Sequence, residues 1–216
     1  MAVVPQARSE LPAATRGFEH IKRNWDQACN RWSAKILPGE YYVTRSDEAI
    51  STVLGSCISA CIRDPVVRIG GMNHFMLPED NSSGKSAWMD GPGGLATRYG
   101  SYAMESLINE LMKLGARRER FEVKLFGGGK ILSSMTDIGE KNIEFAREFL
   151  TLEGFKVAAE DVGDVYPRRV LYIPATGVVM LKRLRALDVV DIARRETNYQ
   201  SSLVARPAES DVELFE

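Results

Sequence analysis

The chain is sparing with the two side chains that do most nucleophilic and acid–base chemistry near neutral pH. It has three cysteines, Cys29, Cys57 and Cys61, and two histidines, His20 and His74. Imidazole chemistry in the body of the chain must therefore use His74, which lies in the apolar run Met72-Asn73-His74-Phe75-Met76-Leu77. Taken alone, such a histidine reads as a satisfied core residue, and a lone cysteine as a small buried hydrophobe. Their pairing changes the reading. Asp64-Pro65-Val66-Val67 is a natural turn with Pro at its second position. Closed as a two-residue hairpin loop, it pairs Asp64 with Val67 and sets Cys57 across from His74, with Cβ atoms roughly 5 Å apart. A bulge at Gly70-Gly71 would shift that register. In an alternative arrangement Ser56 caps a helix beginning at Cys57.

A thiol titrates near ~8.5 and attacks only as the thiolate, so an imidazole that takes its proton makes it a nucleophile. The same imidazole can return the proton to a leaving amine. A third group usually orients the ring, and the hydroxyls of Ser51 and Thr52 lie just upstream. Backbone N–H groups around Gly55, Ser56 and Cys57 are candidates for an oxyanion hole, because glycine lets a substrate approach the backbone closely.

Other chemistries fit less well. Three cysteines do not make a disulfide framework, and Cys57, Cys61 and one histidine fall short of the four ligands of a structural zinc site. Gly84-Lys85-Ser86 resembles the end of a phosphate-binding loop, but Glu79 stands where its first glycine belongs. In Gly127-Gly128-Gly129-Lys130 the next residue is Ile131 instead of a magnesium-binding Ser or Thr. Phe126, Gly127 and Gly128 have two readings, a buried strand end with a tight turn or a partner-binding loop.

These residues need a scaffold. The chain has 216 residues, enough for one domain with a sizeable core. Its net charge of −1 gives no global field for nucleic acid or anionic lipid. No apolar run approaches the ~20 residues that span a bilayer, and Met1 to Pro12 lacks the pattern of a secretory signal, so a cytoplasmic protein is expected. Residues 1–38 read as an appendage, with a helical stripe of Phe18, Ile21, Trp25, Ala28 and Trp32 over 17–34. Residues 39–190 read as the catalytic domain, and 191–216 as an extension whose polar, acidic end is expected to be disordered. Within the domain, strands are expected at 40–44, 57–63, 67–77, 121–126 and 155–159, with a hairpin over 170–173 and 178–181. Helices are expected at 95–114, stopped by Gly115, and from about 137 to 152, opened by Asp137 and Glu140 as a capping box. Strands in hairpin pairs outnumber helices, which points to an α+β fold with mixed or antiparallel sheets and helices outside.

Several motifs occur together: Val53-Leu54-Gly55-Ser56-Cys57, Arg63-Asp64-Pro65, Gly71-Met72-Asn73-His74-Phe75-Met76-Leu77-Pro78, Arg98-Tyr99-Gly100 with Ala103-Met104, Phe126-Gly127-Gly128-Gly129-Lys130, and Ile138-Gly139-Glu140-Lys141-Asn142. Together they resemble the CheD family of chemoreceptor glutamine deamidases over roughly residues 38–185. The resemblance implies conversion of glutamine to glutamate on methyl-accepting chemotaxis receptors by a Cys–His thioester mechanism, without metal or organic cofactor. It implies Cys57 as nucleophile and His74 as base. The family's orienting threonine falls at Ser51, which makes Ser51 the first candidate and Thr52 the alternative. The CheC phosphatase is implied as a further partner. The implied fold is a β-sandwich flanked by helices, similar to the catalytic domain of cytotoxic necrotizing factor toxins. Two rival readings remain, a transglutaminase-like enzyme and a binding module that docks CheC or receptors with little or no catalysis.

Overall fold

In the computed structural model, residues 9–77, 95–131 and 136–205 are described. Among these residues, ten strands form two five-stranded sheets. The first contains β1 (Lys22–Asp26), β2 (Arg31–Lys35), β4 (Ala49–Leu54), β9 (Arg168–Ile173) and β10 (Val178–Arg183), in the order β1-β2-β4-β9-β10. The second contains β3 (Tyr41–Thr44), β5 (Ile58–Asp64), β6 (Ile69–Asn73), β7 (Glu122–Gly127) and β8 (Val157–Val162), in the order β3-β6-β5-β7-β8. Both sheets are mixed: β2/β4 and β7/β8 are parallel, and the other pairs are antiparallel. Ile50, Leu54, Val170 and Tyr172 of the first sheet share one core with Tyr42, Ile58, Ile62 and Met72 of the second.

Helix α1 (Leu95–Lys113) lies on β3, β5 and β6, and α2 (Thr136–Leu152) lies on β5 and α1. The four-residue periodicity of α1 buries Met104, Leu107, Ile108 and Leu111, and Gly115 follows at φ +101°. A third helix, α3 (Ala186–Ala205), covers one end of the sandwich. No helix among the described residues is long and apolar enough to cross a membrane. The Gly84-Lys85-Ser86 motif, the side chain of Asp137 and the tail beyond Ala205 lie outside the described residues.

Two expectations are corrected. Residues 17–34 form no helix; they supply β1 and β2, two strands integral to the first sheet. The apolar spacing fits a hairpin equally well, because Trp25 and Trp32 are cross-strand partners with rings edge to face at 5.7 Å. Asp26 Oδ1 accepts the N–H of Ala28 in the turn, and Asn30 takes φ 52°. The second correction concerns the β5–β6 hairpin, where Asp64 pairs with Ile69 instead of Val67. The Asp64 carboxylate accepts the N–H groups of Val66 (2.9 Å) and Arg117 (2.9 Å), which holds a four-residue turn, Pro65–Arg68. Gly70 and Gly71 pair regularly, without a bulge. The slip is by two residues, so every side chain stays on its expected face.

Candidate active site

Because β4 runs in the first sheet and β5 in the second, the chain crosses between sheets within Gly55-Ser56-Cys57. The carbonyls of this crossing are all engaged. Gly129 N–H donates to Gly55 O (2.6 Å), Asn142 Nδ2 to Ser56 O (2.8 Å) and Gly128 N–H to Cys57 O (2.8 Å). The N–H groups of the same three residues converge on a single carboxylate, that of Glu196 on α3: Gly55 N at 2.8 Å, Ser56 N at 2.8 Å and Cys57 N at 3.3 Å. The Ser56 hydroxyl adds a fourth contact at 2.6 Å. Such convergent N–H groups form an anion-binding nest.

His74 lies just past β6. Its N–H donates to Glu40 O (2.9 Å) and its carbonyl accepts the N–H of Gly39 (2.7 Å). The neighbouring pair Ile58–Phe75 joins the start of β5 to the chain just past β6 by reciprocal backbone bonds. Thr52 Oγ1 on β4 lies 2.7 Å from His74 Nδ1 and donates its one proton to Ile36 O at 2.9 Å. Towards His74 it must therefore accept, so Nδ1 carries the ring proton and Nε2 presents a lone pair. Nε2 is buried and has no hydrogen-bond partner among the described residues. Cys57 Sγ, a ring nitrogen of His74 and a carboxylate oxygen of Glu196 all lie within 4.8 Å of one another.

All three side chains are buried. Burial, reinforced by the Glu196 carboxylate, pushes the Cys57 thiol well above its ordinary value. Burial alone pulls His74 down to about 3. With Glu196 in place, thiol and imidazole are both neutral at pH 7. A sulfur, nitrogen and oxygen set of this kind could in principle hold zinc. Here, however, the carboxylate oxygens are held by amide and hydroxyl donors, as in an anion site.

The structure thus brings Cys57, His74 and the Ser56 and Cys57 N–H groups together. Of the two candidate hydroxyls it places Thr52 on His74; Ser51 points to the other face of β4, where its hydroxyl meets that of Ser33 at 3.0 Å. The diagonal offset of Cys57 and His74 across the β5–β6 pairing replaces the direct opposition expected, and Cys57 caps no helix. Phe126, Gly127 and Gly128 are buried and present no surface to a partner. Their loop backs the nucleophile instead. At Gly127, φ is +118° and a Cβ would stand 2.2 Å from the Cys57 carbonyl oxygen. The buried Arg168 guanidinium clamps this loop through the carbonyls of Gly127 (3.1 Å) and Asp161 (2.5 Å).

Sequence reasoning missed two residues. Asn142 links the exits of two strands, accepting from Leu77 N–H (2.9 Å) while donating to Ser56 O. A buried Asn within a helix that otherwise shows an apolar face is a signal for it. Glu196 has no local signal, because its partners lie some 140 residues upstream.

Fold and site together define an α+β sandwich with a thiol–imidazole pair at the seam of its sheets. The family model for CheD chemotactic sensory transduction matches residues 76–183. A protein of Hydrogenovibrio crunogenus is 53% identical over 90% of this chain and 100% of its own length. One from Hahella chejuensis is 50% identical (94% and 95% covered), and one from Halorhodospira halophila 46% identical (95% and 94% covered). Each is named "Probable chemoreceptor glutamine deamidase CheD". The chain belongs to the CheD family. Among solved structures, Bacillus licheniformis YfiH matches with a TM-score of 0.36 at 13% identity, covering 58% of this chain and 49% of its own. Neisseria meningitidis NMB0706 matches with a TM-score of 0.33 at 12% identity, covering 58% and 52%. Likeness at this level carries no weight for function.

Proposed function

We propose that this protein hydrolyses glutamine side chains of methyl-accepting chemotaxis receptors to glutamate, with Cys57 as nucleophile, His74 as base and acid, and Thr52 as the hydroxyl that orients the imidazole. The observation that carries this reading is the Thr52–His74 contact, which leaves Nε2 with an unpartnered lone pair in a site that also holds Cys57 Sγ and a nest of N–H donors. In the first half-reaction His74 takes the thiol proton and Sγ attacks the amide carbon. The N–H groups of Gly55, Ser56 and Cys57 hold the developing oxyanion. The proton on Nε2 passes to the amide nitrogen, the C–N bond breaks and ammonia leaves, giving a thioester. In the second half-reaction His74 deprotonates water, which attacks the thioester; the C–S bond breaks and the thiol is restored, leaving glutamate. No step calls for a metal or an organic cofactor.

The likeness to the cytotoxic necrotizing factor catalytic domain, docking to a CheC phosphatase and a cytoplasmic place of action belong to the same proposal, on the strength of the family resemblance. The test is the ammonia released from a receptor cytoplasmic fragment, measured for the unaltered chain and for His74→Gln. A drop of about 100-fold or more in the variant is expected. An unchanged rate would remove His74 from the mechanism. Release that depends on an added amine would indicate a transglutaminase.

A further inference from the structure

Glu196 is a buried carboxylate that forms no ion pair with a Lys, Arg or His among the described residues. Burying an ion without a counter-ion is costly unless strong donors receive it, and here the donors are those assigned above to the oxyanion. Gly55 makes room for it: a Cβ there would lie 2.8 Å from Glu196 Oε2. The helix carrying Glu196 is seated one turn earlier by Ile192 and Ala193, which pack on Ile131, Val53 and Leu184. One turn later, Tyr199 bonds to Tyr99 hydroxyl to hydroxyl and lies against Gly39, beside the backbone partners of His74. A small cavity next to His74 is closed on one side by Ile192 and Glu196.

Glutamine hydrolysis leaves a glutamate carboxylate against the thiol, the imidazole and the N–H nest, and Glu196 sets that group there. We propose that α3 is an internal competitor, with Glu196 standing in the place of the product glutamate, so that a substrate helix reaches Cys57 only by displacing α3. The inference rests on the deamidase reading above. It also describes the substrate: a helix with its glutamine in the position of Glu196 and apolar residues three and four places earlier, where Ala193 and Ile192 stand.

The test uses the full chain and two variants, Glu196→Ala, which removes the carboxylate, and Ile192→Asp, which loosens the seat of α3 and leaves the carboxylate in place. Thermal melts establish that each is folded. The readout is the rate of Cys57 alkylation by iodoacetamide without substrate, mapped by peptide mass, with the buried Cys61 as internal control. Exposure of the site should raise the Cys57 rate about tenfold in both variants, and receptor-fragment deamidation with it. Folded variants with unchanged or slower alkylation would overturn the proposal, as would faster alkylation with slower deamidation, since Glu196 would then be part of the catalytic machinery. In the unaltered chain, amide exchange over residues 190–203 should quicken when the receptor fragment binds, and slower exchange there would contradict displacement. Alkylation judges α3 independently of turnover. Faster alkylation in the variants, with no conversion of receptor glutamine by the unaltered chain or by either variant, would overturn the deamidase reading and leave the occlusion standing.

Discussion

The division of labour between Ser51 and Thr52 follows from strand alternation. Neighbours on β4 face opposite ways, so one hydroxyl reaches His74 and the other is spent on Ser33. Thr52→Val should therefore lower kcat about tenfold or more with KM little changed, because it frees the ring to turn and to take the wrong tautomer. Ser51→Ala should leave both parameters near their original values. Steady-state kinetics on a receptor fragment separates these outcomes. A second prediction comes from the depressed His74. Unfolded, the imidazole titrates near ~6.5; folded, burial holds it to about 3. Between those values the unfolded chain binds the extra proton, so stability is present above pH 6.5 and falls as the pH drops towards 3. This one group contributes a slope of about 1.4 kcal/mol per pH unit. Urea midpoints across that range should show the slope, and His74→Gln should remove its share while the carboxylates common to both proteins contribute alike. The pair itself was legible because histidine is scarce. Which hydroxyl serves it was not, because adjacency in sequence does not say which face of β4 looks to the second sheet.

Among the elements, those with strong periodicity were readable. The buried stripe of α1 and its glycine stop, the two strands around Asp64-Pro65 and the β9–β10 hairpin all follow from local pattern. The β1–β2 hairpin was hidden because Trp25 and Trp32 continue the helical spacing begun by Phe18 and Ile21 and are also cross-strand partners, and only the turn chemistry of Asp26 and Asn30 distinguishes the two. The triple glycine was seen, but its purpose needed tertiary contact: it lies under the nucleophile's carbonyl. Gly127→Ala should consequently cost about 2 kcal/mol or more, since it adds strain at positive φ to a collision with the Cys57 backbone. A thermal melt reads the loss, and an unshifted transition would mean that this loop does not brace the crossing.

At the scale of the whole molecule, the site exists because the chain changes sheets. Thr52 belongs to the first sheet, His74 follows a strand of the second, and Cys57 sits on the link between them. Sheet order rests on long-range pairings such as β4 with β9 and on the parallel pairs β2/β4 and β7/β8, none of which leaves a local trace. For the same reason α3, remote in sequence, could not be placed over Cys57 in advance. The central claim is that this assembly converts receptor glutamine through Cys57, and mass spectrometry of a receptor cytoplasmic fragment tests it most directly. Incubation with the full chain should turn defined glutamines into glutamate, and incubation with a folded Cys57→Ala variant should leave them as glutamine. Equal conversion by Cys57→Ala, or no conversion by either the unaltered chain or Glu196→Ala, would contradict the account.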